Sequence, residues 1–201
     1  MNEIEHFFKA YYAQMKDFYL KVEADTYRLT KENYWDTVLK PSKIREDDFE
    51  PIERKLQLIL PISFKNFYKS HYSLEKEFDT GGLFIAGNTE QSKLSSLIDY
   101  CFNHGISADI IALGLVPFGL YNDGWYVCLD MNENQDDPSI VLFEMNNRGA
   151  GKEAISHRPW FSNFNSLLRC IADYQINGNW DNFKTLDPDN NYLTAYDYWK
   201  Q

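Results

Sequence analysis

Apolar residues at Ile4, Phe7, Phe8, Tyr11, Met15, Phe18 and Val22 recur at steps of three and four, which predicts an amphipathic helix of about five turns. A second short helix is expected from an N-cap at Thr30 through Tyr34, Trp35 and Val38, stopped by Pro41. Acidic Glu46-Asp47-Asp48 and Pro51 suit the start of another, with Phe49, Ile52, Leu56 and Ile59 as its apolar stripe. Leu60-Pro61 interrupts that pattern, and Phe64, Phe67 and Tyr68 begin a new helix.

After a linker ending at Gly81-Gly82, Leu83 to Ala86 reads as a strand and Gln91 to His104 as a helix stopped by Gly105. The apolar run Ile110 to Tyr121 reads as a buried strand, its extended part running from Leu113 to Tyr121. This segment and Trp125 to Met131 flank Asn122-Asp123-Gly124, whose residues accept the positive φ of a tight hairpin. A polar loop from Asn132 to Pro138 leads to Ile140 to Phe143, a third strand of an antiparallel meander. Phe161, Phe164, Leu167, Leu168 and Ile171 mark a final long helix ending near Asn177-Gly178. In the tail, Tyr192, Tyr196 and Trp199 have helical spacing and are expected to pack on the body.

This order of elements predicts an α+β fold: a largely antiparallel sheet, a meander, covered by helices on one face, with a helical N-terminal extension. The divisions expected are a helical extension over residues 1–45, an α+β domain over 46–176 and an aromatic, acidic tail over 177–201.

Charge narrows the function classes. The 201 residues carry 20 Lys and Arg against 30 Asp and Glu, a net charge of −10. Phosphate backbones and anionic membranes are disfavoured partners, because both demand clustered cations. The first residues lack the basic and apolar regions of a signal peptide, and the longest apolar run is too short to cross a bilayer, so a cytoplasmic location is expected. Cys101, Cys128 and Cys170 are widely spaced and odd in number, which suits reduced core thiols.

Local motifs for chemistry fail on their residues. Arg148 to Glu153 resembles a phosphate loop, but Asn146 stands at its first glycine and Glu153 at its Ser/Thr position. Asp130 to Asn134 begins like a calcium loop, but Gln135 replaces the bend glycine and Val141 the bidentate glutamate; the run from Asp187 fails in the same way. His6, His71, His104 and His157 show no zinc-binding spacing, and no nucleophile elbow occurs. No metal, cofactor or catalytic residue is expected. The charge layout says more: from Leu94 to Asn147 there is no Lys or Arg, so every formal charge in this stretch is negative. Such a one-sign field steers a basic partner, and it also serves solubility.

The stretch Phe49-x-x-Ile52-Glu53-x-x-Leu56-x-x-x-Leu60-Pro61-x-x-Phe64-x-x-Phe67, followed by Pro117-Phe118-Gly119 and Asp123-Gly124-Trp125-x-x-Cys128-Leu129-Asp130, resembles the SUKH superfamily. Pro138 before Ile140-Val141-Leu142, and the helix with Phe161, Phe164, Leu167 and Leu168, follow in the family's order, so the resemblance covers about Phe49 to Tyr174. Asp79-Thr80-Gly81-Gly82 stands where the family has a glycine-rich stretch. The resemblance implies an α+β fold and a protein-binding role without catalytic residues. That role is either immunity to a polymorphic bacterial toxin, often a nuclease, or regulation of glucan synthesis and cell-wall assembly as in fungal members. The expected contacts to a basic protein partner are Asp123, Trp125, Asp130, Glu133, Asp136 and Asp137, on the hairpin turn, its second strand and the following loop. Turn chemistry for Asp123 and Asp130, and a core position for Trp125, are the alternatives.

Overall fold

The hairpin at Asn122 anchors the sheet. Asn122 adopts φ 49°, a conformation that asparagine tolerates better than most residues, and Tyr121 pairs with Trp125 across the turn. The computed structural model describes residues 2–22, 41–72, 76–78, 82–90, 92–122, 124–132, 134–144, 157–178 and 182–189. Six antiparallel strands form one sheet in chain order: β1 (Lys76–Phe78), β2 (Leu83–Ile85), β3 (Leu115–Tyr121), β4 (Trp125–Asp130), β5 (Ile140–Glu144) and β6 (His157–Phe161). Each strand pairs with its neighbour in the chain, so the sheet is a meander, as expected. A bulge at Phe118 shifts the β3–β4 register between Pro117 and Gly119.

Helices cover both faces, which corrects the expectation of one. Along β4, Tyr126, Val127, Cys128 and Leu129 are all buried, although successive residues point to opposite sides. On one side lie α4 (Ser95–Phe102) and α5 (Ser107–Ala112); the Cys101 thiol donates to the Pro117 carbonyl, and the Tyr126 hydroxyl contacts Nδ1 of His104. On the other lie α3 (Ile62–Ser70) and α6 (Phe164–Asn177), where Phe64 and Phe164 stand 5.4 and 5.7 Å from the ring of Phe118.

The N-terminal helix α1 (Glu3–Val22) matches its periodicity; the Asn2 side chain accepts the Glu5 N–H and caps it. Its Phe7, Phe8 and Tyr11 are buried, and it packs on α3 and α6 as an outer layer. Helix α6 also ends where expected: Asn163 caps its start by accepting the Ser166 N–H, and Gly178 at φ 71° closes it. The expected helix at Thr30–Val38 and the residues Tyr192, Tyr196 and Trp199 lie outside the described residues.

Other expectations need revision. A 3₁₀ turn, Glu46–Phe49, leads into α2 (Glu50–Leu56), which stops at Gln57 in the left-handed region, so Ile59 falls beyond the helix and is 68% exposed. Of the segment expected to be helical over Gln91 to His104, the described residues are helical over Ser95–Phe102. The front of the apolar run at Ile110 is helical, the end of α5; Gly114 at φ 79° then turns the chain into β3. Strand β1 falls in what reads as linker, and β6 contains Phe161, which the periodicity assigns to the last helix. Both are edge strands of three and five residues, and β6 contains Pro159, so neither carries a strong alternation. A short α7 (Phe183–Leu186) was not expected; it packs Phe183 on Phe161, and buried Asp187 accepts the Ser162 N–H at 2.8 Å.

Candidate functional site

The residues of the Ile-Glu to Leu-Pro pattern build a clasp. Ile52, Leu56, Leu60, Phe64 and Phe67 point into the core, while Glu53 accepts the Leu60 N–H at 2.9 Å and the Lys65 ammonium at 3.1 Å. Lys65 is almost fully buried and also pairs with Glu46. Burial opposes its charge, but the hydrogen bonds to Glu46 and Glu53 outweigh that and hold its pKa above the ordinary lysine value. The clasp orders the turn between α2 and α3 and is structural.

The same segment predicts acid lability. Hydrogen bonds from Lys65 and Lys69 hold the Glu46 carboxyl below its ordinary range; those from Lys93 and from the Arg45 N–H do so for Asp48. A depressed carboxylate pKa stabilises the fold above the unfolded value and loses that stability as pH falls through the folded one. The urea midpoint is therefore expected to fall below about pH 4.5, and to fall less steeply in Lys93→Ala. An equal fall in both would remove Asp48 from the explanation.

The described residues around the expected contacts lie at the two ends of β4. β4 is six residues long, so its ends lie roughly 17 Å apart. Asn122 and Gly124, the neighbours of Asp123, sit at one end; Asp130, Asn132, Asn134, Asp136 and Asp137 sit at the other. Asp123 and Glu133 themselves fall outside the described residues. Trp125 is 5% exposed, opposite Tyr121 and Glu144 in the sheet, and occupies a core position.

At the far end the loop is organised by short polar side chains. Asp130 accepts hydrogen bonds from the Asn132 N–H and side-chain amide, and that amide also donates to the Leu113 carbonyl after α5. Asn134 Oδ1 accepts the N–H groups of Asp136 and Asp137. Asp137 in turn accepts from the Asn163 amide at 3.0 Å, which places a carboxylate beside the start of α6, where the helix dipole favours negative charge. Asp136 is exposed, and no described residue hydrogen-bonds or pairs with its carboxylate. Asp109 is exposed on α5, whose end is tied to this loop through Leu113. The interaction of Asp137 with Asn163, across 26 residues, has no local signal in the chain.

Among the described residues no three His, Cys, Asp or Glu side chains come together to hold a metal ion, and no helix is long and apolar enough to cross a membrane. The cysteines are buried. Burial pushes the Cys101 thiol up to about 12, with Lys55 opposing, and raises the Cys128 thiol well above the ordinary value. Neither is expected to react with iodoacetamide at pH 8 in the native protein, whereas all three cysteines react in denaturant; native labelling read by mass spectrometry would contradict this.

Comparison with curated proteins finds no match. The family model of the SMI1 / KNR4 family (SUKH-1) matches residues 43–170, more than half of the chain. This span begins just before the 3₁₀ turn, takes in the clasp, Pro117-Phe118-Gly119 and the acidic loop, and ends inside α6. The chain therefore belongs to the SMI1/KNR4 (SUKH-1) family.

Proposed function

We propose that the protein is an immunity protein that neutralises a polymorphic bacterial toxin in the cytoplasm, by docking the acidic end of its sheet onto a basic surface of the toxin. Family membership supports an immunity- or regulator-type domain that acts by binding. The observation that carries the finer reading is the absence of any Lys or Arg from Leu94 to Asn147, combined with the exposed Asp136 and Asp137 on one ordered loop. A nuclease must hold phosphates with cations, so a matching anionic surface competes for the same groups. Asp136 is the contact this reading favours most, with Asp137 and Asp130 behind it. A regulatory scaffold of the glucan-synthesis type is the competing reading, and it predicts several weak, exchangeable partners.

Asp136→Lys tests the loop without disturbing the Asn163 contact that Asp137 makes. With the partner recovered from native cells, association is expected to slow by about tenfold at low salt, with a shallower dependence on ionic strength. An unchanged association rate would remove the loop from the interface.

A further inference from the structure

We propose that α1 is a detachable strap that opens as a unit before the sheet does, uncovering a helix-accepting aromatic face on α3 and α6. Three observations carry this. First, the layers run outward from the sheet to α3 and α6 and then to α1, so α1 is a terminal third layer. Phe64, Phe118 and Phe164 lie within 5.0 to 5.7 Å of one another and close the inner layer. Second, where α1 meets α3 its seat is made of rings: Phe7 and Phe8 stand 5.4 and 5.3 Å from Phe67, and Phe8 stands 4.8 Å from His71. Lifting α1 exposes Phe67 and His71 while Phe64, Phe118 and Phe164 keep their mutual contacts. Third, the family match begins at residue 43, so α1 lies outside the matched span, and eighteen residues separate Val22 from Pro41. That length spans up to roughly 60 Å when extended, enough for α1 to leave its seat while the domain stays folded.

Among the described residues α1 packs on α3 and α6, and an outer element opens at the cost of the interface that holds it, whereas strands in the middle of a sheet open only with the whole domain. The face so uncovered fits an amphipathic helix with aromatic residues one and four positions apart, as in Phe7, Phe8 and Tyr11. Its occupant is the α1 sequence, held in cis in the closed chain and accepted in trans when that copy is weakened.

Hydrogen exchange of the full chain, read by mass spectrometry, tests the opening. Amides of α1 are expected to exchange at least about 100-fold faster than those of β3, β4 and β5. Phe8→Ala should raise the α1 rate by about a further 100-fold, the effect of deleting a buried ring, and leave β4 unchanged. A labelled peptide of residues 2–22 should bind the Phe8→Ala chain more tightly than the wild type, whose own α1 competes. Equal exchange in α1 and β4, acceleration of both by Phe8→Ala, or unfolding of that variant would show that α1 is part of the cooperative core. Failure of the peptide to bind either chain would overturn the helix-accepting face.

Discussion

Gly119→Ala is expected to cost about 3 kcal/mol or more, lowering the melting temperature by roughly 6–12 °C for a chain of this size. A Cβ at Gly119 would stand 2.2 Å from the Phe84 carbonyl oxygen, with Phe84 carbon and Ile85 Cα at 3.3 and 3.4 Å. These are backbone atoms of β2, which cannot rotate aside. Gly119 pairs with Ile85 on one side and Val127 on the other, so the clash falls where β3 is fixed by both neighbours. The close approach falls beside the bulge at Phe118, and glycine is the residue that allows it. Gly124→Ala is the control: its nearest neighbour would be the Asn122 carbonyl oxygen at 3.6 Å, an ordinary contact, and its cost should stay under about 1 kcal/mol. Chemical denaturation of the two variants checks both. A Gly119→Ala protein within 1 kcal/mol of wild type would contradict the close approach of β2 and β3.

The second large effect is expected at Glu53. Glu53→Ala removes the acceptor of the Leu60 N–H and one of the two carboxylates on buried Lys65. Because Glu46 remains, the loss should lie near the lower end of that for breaking a buried pair, about 3 kcal/mol. Glu53→Gln keeps an acceptor for Leu60 but not the charge, and should cost roughly half as much. The double change Glu53→Leu with Lys65→Met replaces the pair by apolar groups and should cost less than the sum of the two single changes. Additive losses in that cycle would mean that the two side chains do not act together. Neither position touches the acidic loop, so partner binding by the folded fraction should be unaffected.

Where the fold was legible, a strong local period carried it. The three- and four-residue steps of α1 and α6 survive into the structure, and Asn122 marks the hairpin because few other residues accept its positive φ, whereas Gly124 takes none. Cover on both faces was missed, although Trp125 to Leu129 is a continuous apolar run of the kind a strand buried on two sides carries. The failures share a cause. β1 and β6 are defined by pairing with β2 and β5 rather than by their own composition, and α5 hides in an apolar run that helix and strand fill equally well until Gly114 turns it. For the candidate site, acidity was visible but its grouping was not. The length of β4 separates Asn122 and Gly124 from the Asp136 loop, burial withdraws Trp125, and the Asn163 contact that seats Asp137 comes from a distant segment.

The central claim, that one basic protein docks on the acidic end of the sheet, is tested most directly by native purification of the tagged full chain at low and at moderate salt. Wild type and Asp136→Lys are run in parallel, and co-eluting proteins are identified and quantified by mass spectrometry. A single stoichiometric basic partner is expected, retained by the wild type at low salt, released as salt rises, and depleted in the variant. A changing set of substoichiometric proteins, or one partner held equally by both chains at every salt concentration, would contradict it.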